Sequence, residues 1–207
     1  MQDVAQILDF LALSERLKLE LRHSWLSDGR RESVAEHSWQ MALMALLAHR
    51  HLAEPVDIGK VLKMVLVHDL VEAEVGDVPF FETGERKRAK AERERRAILS
   101  IRDRLPGPTG QEIHDLWQEY EDRRTAESRF AGALDHLEVQ IQHNLAALES
   151  WEPVEHELVY TKMDRACAFD PFLAALCEAV KAQAEAKMAA GGVDVAAVKR
   201  RVAASDG

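Results

Sequence analysis

Two ionisable residues, His68 and Asp69, stand in the otherwise apolar run Val65-Leu66-Val67-His68-Asp69-Leu70-Val71. Any fold that buries this run must compensate both groups, because an unpaired imidazole or carboxylate is costly to remove from water. A metal ion, a charge partner or a hydrogen bond would each serve. Taken alone, the pair is also compatible with a histidine at a helix end and an exposed aspartate beside it. His37 and Asp135 extend the pair to two imidazoles and two carboxylates, a mixed nitrogen and oxygen ligand set for a divalent metal. Each lies in or beside a segment that reads as helix, so the set can converge only through tertiary packing.

The helical reading comes from spacing and capping signals. Val4, Ile7, Leu8, Leu11, Leu17 and Leu21 recur near helical spacing. A polar loop is expected from about Ser24 to Glu32, with Asp28-Gly29 as its turn. Ser33-Val34-Ala35-Glu36 is a capping box that opens a second helix, with His37 in its first turn and its end near His51. Asp57 caps a third helix, from Ile58 to about Val71, with His68-Asp69 near its C-terminal end. Gly76 and Pro79 imply a turn and loop from Glu72 to Phe81. Glu85 to Arg96 alternates acids and bases and reads as the solvated face of a helix, since the acids cancel the field of a nucleic-acid stripe. Pro106-Gly107-Pro108 ends that helix; a shorter one is expected near Gln111–Tyr120 and a long one from about Thr125 to Glu149, with Asp135 inside it. A last helix runs from about Pro171 to Met188. No pattern suggests strands. The expected architecture is one all-α domain over residues 1–188, followed by a mobile or weakly docked tail, 189–207, after the Gly191-Gly192 junction.

Composition restricts the partners. A formal net charge of -9 favours neither nucleic acid nor an anionic membrane, although local cations can still hold a small anion. Cys167 and Cys177, the only cysteines, fall in a late helical region and read as reduced core thiols. The chain opens without a basic region followed by an apolar stretch, and no run approaches a membrane span, so a soluble cytoplasmic protein is expected.

Three segments carry a resemblance to a known family: Glu32-Ser33-Val34-Ala35-Glu36-His37, Val67-His68-Asp69-Leu70-Val71-Glu72-Ala73-Glu74-Val75-Gly76-Asp77, and Leu134-Asp135-His136-Leu137-Glu138. Together they resemble the HD-domain phosphohydrolases. The Glu three residues after the His-Asp pair, the Gly-Asp that follows, and Leu116-Trp117-Gln118-Glu119-Tyr120-Glu121 are similar to the 5'-deoxynucleotidase branch. The likeness covers about residues 7 to 150. It implies an HD-domain helical bundle and one divalent transition metal (manganese, cobalt, nickel, iron or zinc) held by His37, His68, Asp69 and Asp135. It also implies hydrolysis of a phosphate monoester. Glu72, three residues after Asp69, would project to the same side if the helix continues, and suits a carboxylate that orients or deprotonates water. Asp77, beyond the Gly76 break, could approach the leaving oxygen. Leu21-Arg22-His23-Ser24-Trp25 resembles the family's Arg and Trp before the first ligand. On that likeness Arg22 would hold phosphate and Trp25 would pack on the sugar and disfavour a 2'-hydroxyl.

Glu138 and Gln142 share a helical face with Asp135 and are expected to face the site or the core beneath it, whereas His136 points elsewhere. His143 is expected to be a packed or surface histidine rather than a ligand to a second metal. The expected substrate is a deoxyribonucleoside 5'-monophosphate. Another small phosphomonoester, an alarmone, or a noncatalytic metal-stabilised scaffold are the alternatives. Apolar helical faces, and the resemblance, further suggest a homodimer.

Overall fold

The computed structural model describes residues 2–79, 82, 84, 85 and 89–205. The first expected helix divides in two, α1 (Gln2–Ser14) and α2 (Arg16–Leu19). The next segment departs from the sequence reading. In place of a plain polar loop, β1 (Leu21–Trp25) and β2 (Arg31–Ser33) form an antiparallel two-stranded ribbon. Asp28-Gly29 supplies the turn as expected: the Arg30 amide donates to Asp28 Oδ1 at 3.0 Å and the Gly29 amide to the Leu26 carbonyl at 3.0 Å. Arg31 lies across the ribbon and donates to the Arg22 carbonyl at 2.7 Å and the Leu21 carbonyl at 2.5 Å. Strands this short and polar lack an apolar alternation, so their pairing leaves little trace in the sequence.

The capping box forms as read. Ser33 Oγ accepts from the Glu36 amide at 3.3 Å, Glu36 Oε2 accepts from the Ser33 amide at 2.8 Å, and α3 runs Val34–Ala48 before a 3-10 turn at His49–His51. Asp57 caps α4 (Ile58–Val67), its carboxylate accepting from the Lys60 amide at 3.2 Å. The expected continuation to Val71 does not keep α geometry. Leu70, Glu72, Ala73 and Glu74 each donate to the carbonyl three residues back, so the chain tightens through His68–Val71 into α5 (Glu72–Val75). Gly76 then adopts φ +73°, a region that L side chains rarely occupy, and turns the chain towards Asp77.

The expected loop reaches Phe80 and Phe81, and the expected charged helix crosses 86–88; these positions lie outside the described residues. Within them, α6 (Lys90–Arg104) exposes Glu92, Arg95 and Arg96, turns Lys90 and Glu94 partly inward, and buries Ala97, Ile98 and Ile101. α7 (Gly107–Asp122) starts earlier than the sequence reading, because proline is tolerated in a first helical turn. α8 (Ala126–Leu145) opens on a Thr125 cap and runs through the centre of the molecule, against α3, α4, α7 and β1. There follow α9 (Pro153–Leu158), α10 (Met163–Cys167), α11 (Pro171–Ala190), capped by Asp170, and α12 (Val195–Ser205). The segment expected as a tail thus includes a helix whose Val198 and Val202 are buried and whose Arg201 Nε lies 2.7 Å from Glu157 Oε1.

The main core joins Met41 and Ala45 of α3, Val61 and Met64 of α4, and Phe130, Leu134 and Leu137 of α8. A second cluster joins Val67, Leu70 and Val71 to Ile98, Ile101 and Trp117. Burying each large side chain contributes about 1.5–3 kcal/mol. The two clusters grip the His68–Val71 turn from both sides, which fixes the ionisable pair between them. Cys167 and Cys177 are buried free thiols. No helix among the described residues is long and apolar enough to cross a membrane.

Candidate metal and catalytic site

Three elements bring the predicted ligands together. His37 comes from the first turn of α3, His68 and Asp69 from the tightened turn after α4, and Asp135 from the middle of α8. His37 Nε2 lies 3.3 Å from Asp135 Oδ1 and 3.8 Å from Asp69 Oδ2, and His68 Nε2 lies 3.1 Å from Asp69 Oδ2. Donor atoms of His37, His68 and Asp135 all fall within 4.8 Å of one another.

The outer nitrogens of both histidines are already committed. His68 Nδ1 faces the Val65 carbonyl at 2.7 Å, and a carbonyl only accepts, so Nδ1 carries the proton. His37 Nδ1 faces Glu138 Oε2 at 2.5 Å, both side chains fully buried. Each Nε2 therefore points at the cluster, and both are buried without a hydrogen-bond partner. Two orphaned imidazole nitrogens beside two carboxylates fit a divalent cation, with outer partners that fix the tautomers.

The electrostatics agree. Burial opposes charge on Asp69 and Asp135, yet His68, His37 and Arg22 hold Asp69, and His37 and His68 hold Asp135, below the usual carboxylate range. Burial and Arg22 oppose a proton on His37, but Glu138 and Asp135 outweigh them and raise it to about 10, so a cation bound at Nε2 would take the place of that proton. Glu32, buried beside Glu138, is pushed up to about 7 by burial and then by that neighbour. Glu32, His37 and Glu138 also form a fully buried trio of ligand types. A shared proton accounts for the paired carboxyls there, with no need for an ion.

Glu72 and Asp77 line the same cavity of about 220 Å3 as Asp69 and Asp135. The tight turn explains Glu72: at three residues per turn, side chains at i and i+3 eclipse, so Asp69 and Glu72 project together. Glu72 is buried, and burial, Asp69 and Asp77 push its carboxyl well above the usual range. The Asp77 amide is held by Glu20 Oε1 at 2.9 Å.

Arg22, on β1, reaches the cavity with Nη1 3.3 Å from Asp69 Oδ2 and Nε 3.5 Å from Glu32 Oε2. Burial works against its charge, and Asp69 and Asp77 override that and keep it protonated. Trp25 is not among the cavity-lining residues. Its ring packs edge-on against His23, centroids 4.7 Å apart, and His23 does line the cavity. The Trp25 carbonyl accepts from Gln142 Nε2 at 2.7 Å, so Gln142 ties the ribbon to α8 one turn beyond Glu138. His143 is packed rather than ligating at the cluster: it is buried, with Nε2 3.8 Å from Glu155 Oε1.

Some participants escaped individual prediction. Tyr120 donates its hydroxyl to Asp135 Oδ2 at 2.8 Å and so fixes the ligand's second oxygen. Lys90 lines the cavity near Glu72, and Gln140, Leu158 and Met163 line its far end. Only the family-like segment around Tyr120 hinted at any of these, because the contacts arise between helices far apart in sequence.

An all-helical bundle that assembles His, His-Asp and Asp from three separate segments defines a class. The HD domain family model matches residues 14–169, and the chain belongs to that family. The 5'-deoxynucleotidase HDDC2 of Dictyostelium discoideum is 36% identical over 148 residues, 67% of this chain and 76% of that protein. The human 5'-deoxynucleotidase HDDC2 is 32% identical over 153 residues, 73% and 71% of the two chains. Among solved structures, a "predicted metal-dependent phosphohydrolase" from Magnetospirillum magnetotacticum MS-1 superposes with a TM-score of 0.79 at 35% identity, covering 90% of this chain and 97% of that one. An HD-domain phosphohydrolase from Listeria innocua, at 14% identity and a TM-score of 0.69, shares the fold.

Proposed function

We propose that this protein is a metal-dependent 5'-nucleotidase that releases phosphate from deoxyribonucleoside 5'-monophosphates. The observation that carries the reading is the pair of orphaned, tautomer-fixed Nε2 atoms facing two carboxylates, with Glu72, Asp77 and Arg22 in the same cavity. The two 5'-deoxynucleotidase relatives support the substrate class.

His37, His68, Asp69 and Asp135 would hold the ion, which when bound supplies Lewis-acid polarisation of the phosphoryl group. The remaining work falls to side chains. Arg22 binds the phosphate oxygens by charge-assisted hydrogen bonds. Glu72 accepts the proton that the attacking water loses as its oxygen bonds to phosphorus, a task suited to a carboxyl with a raised pKa. Asp77 lines the same cavity and would hydrogen-bond the leaving sugar oxygen, which takes up the proton that Glu72 accepted as its bond to phosphorus breaks. Trp25 acts on the sugar through His23, whose ring it holds against the cavity. The oxygen and nitrogen donor set suits manganese, cobalt, nickel, iron or zinc.

We further place the enzyme in the cytoplasm as a homodimer whose single domain extends past the expected boundary at 188 to include the docked α12. An exposed apolar stripe on α3 supports self-association, with Trp39 66% and Leu47 68% exposed and Leu43 and Leu46 between them. Light scattering giving the 23.3 kDa mass of one chain would refute the dimer.

The deciding assay compares deoxyribonucleoside and ribonucleoside 5'-monophosphates with metal-loaded enzyme. A higher kcat/KM for the deoxy series is expected, and Trp25→Ala should flatten the preference. Equal values for wild type would remove sugar selection, and no phosphate release from any monophosphate would remove the nucleotidase reading.

A further inference from the structure

A second cavity, of about 620 Å3, opens beside the first and shares His136 and Lys162 with it. Its wall carries Arg123, Arg129, Lys162 and Arg165, and none of its lining residues among those described is Asp or Glu. The chain as a whole has 36 acidic residues against 27 Lys and Arg, so this hollow inverts the average charge. The four cations come from the turn before α8, from α8 itself, and from α10 and the residue before it. Packing, not local sequence, gathers them, and like charges gathered in a hollow favour an anion there.

Two of the cations are preorganised. Arg123 has φ +52°, the only positive φ at a non-glycine residue among those described. That backbone costs roughly 1–2 kcal/mol at an L residue. Its guanidinium lies 3.5 Å above the centre of the Tyr120 ring and flat against α8 at Gly132. A Cβ at Gly132 would fall 2.6 Å from Arg123 Cζ, so only glycine leaves room for it. Arg129 stacks its guanidinium 4.6 Å from the centre of the Phe169 ring, and its Nε is buried without a hydrogen-bond partner. Among the described residues its one ion pair, to Glu54 at 3.5 Å, sits in solvent, where such a pair contributes little.

We propose that this basic cavity is a second, noncatalytic anion site that takes the phosphate chain of a nucleoside di- or triphosphate. A monoester dianion is matched by one or two cations. Four cations around a larger hollow match a chain of two or three phosphates, which arginines bind in forked, charge-assisted pairs. Occupancy would be felt at the metal site. Arg123 stacks on Tyr120, and Tyr120 donates to Asp135, so an anion that draws Arg123 outward loosens the group that fixes this ligand.

The test is calorimetric titration of the metal-loaded full chain with inorganic tripolyphosphate and, separately, with deoxyadenosine triphosphate. Magnesium in excess over either probe keeps it from stripping the protein's ion. Wild type should bind, Arg165→Glu and Arg129→Glu should each weaken binding roughly tenfold or more, and Arg22→Ala should leave it unchanged. Similar affinity for the two probes identifies the phosphate chain as sufficient, and tighter binding of the nucleotide adds a nucleoside contact; either supports the site. No binding would overturn it. So would binding lost in Arg22→Ala but kept in both cavity variants, since the anion would then sit in the catalytic cavity. Bound tripolyphosphate should also change kcat or KM for a monophosphate in wild type and not in Arg165→Glu; an unchanged rate would overturn the link through Tyr120. The binding arm does not depend on the nucleotidase reading: protein inactive on every monophosphate yet binding tripolyphosphate would refute that reading alone.

Discussion

Glu138 offers the sharpest perturbation, because it touches no ion or substrate yet orients a ligand. Its Oε2 lies 2.5 Å from His37 Nδ1 and both side chains are fully buried. Glu138→Gln keeps the volume and an oxygen that accepts from Nδ1, but removes the charge. Hydrogen bonds to charged groups contribute about 1.5–3 kcal/mol against about 0.5–1.5 for neutral ones. The difference of about 1–1.5 kcal/mol corresponds to roughly a five- to tenfold loss in metal affinity. Glu138→Ala leaves Nδ1 unpaired and the ring free to turn, and should cost 10- to about 100-fold, as loss of such outer partners typically does. Both changes also relieve Glu32, which Glu138 helps to hold protonated, so Glu32 should ionise more readily opposite Arg22. Metal affinity is read by competition with a calibrated chelator, with melting by circular dichroism to confirm folding. The expected order of affinity is wild type, then Gln, then Ala. Wild-type affinity in both variants, or a greater loss in Gln than in Ala, would refute the claim that Glu138 fixes the donor nitrogen of His37.

Glu72→Gln should retain the metal and lose about 10²- to 10⁴-fold in kcat; full activity at unchanged metal content would remove Glu72 from the chemistry. Glu155 is pushed up to about 7, mainly by burial, from an ordinary value of 4.5. Between those values the unfolded chain releases a proton that the folded chain keeps, so this group lowers stability as pH rises. Glu155→Gln should therefore gain stability over wild type at about pH 8 and not at about pH 4, measured by urea denaturation; an equal gain at both would contradict the buried neutral carboxyl. Ser33→Ala removes the α3 cap and should cost about 1 kcal/mol in the same denaturation measurement, within the usual range for lost caps. An unchanged midpoint would show that Glu36 alone holds the helix start.

What the sequence discloses follows from the range of the interactions. Ser33 and Asp57 announce their helices because a cap bonds an amide two or three residues away. The placement of Glu72 beside Asp69 was legible for a similar reason, although the turn that achieves it is tighter than the α-helix the spacing suggested. The ribbon was not legible, since Leu21–Trp25 and Arg31–Ser33 are short and polar and are held partly by the Arg31 side chain on two carbonyls. Tyr120, Lys90 and the basic wall around Arg123 were equally hidden. Nothing local distinguishes a tyrosine that reaches Asp135 from one that merely packs. Trp25 shows the converse: a motif position carried over by likeness whose ring meets His23 rather than the cavity.

The segments proposed to bear the ligands are far apart along the chain: the start of α3, the turn after α4 and the middle of α8. An ion held among them would close two long loops at once, as a disulfide would, in a domain whose thiols are buried and free. Such a cross-link forms only when all three segments are docked, so binding and folding share one free energy. It is also reversible. A chelator would undo it without a reductant, and the chain's resistance to unfolding would become a function of the free concentration of a trace metal, rising by RT ln(1 + [L]/Kd) as that concentration passes the dissociation constant.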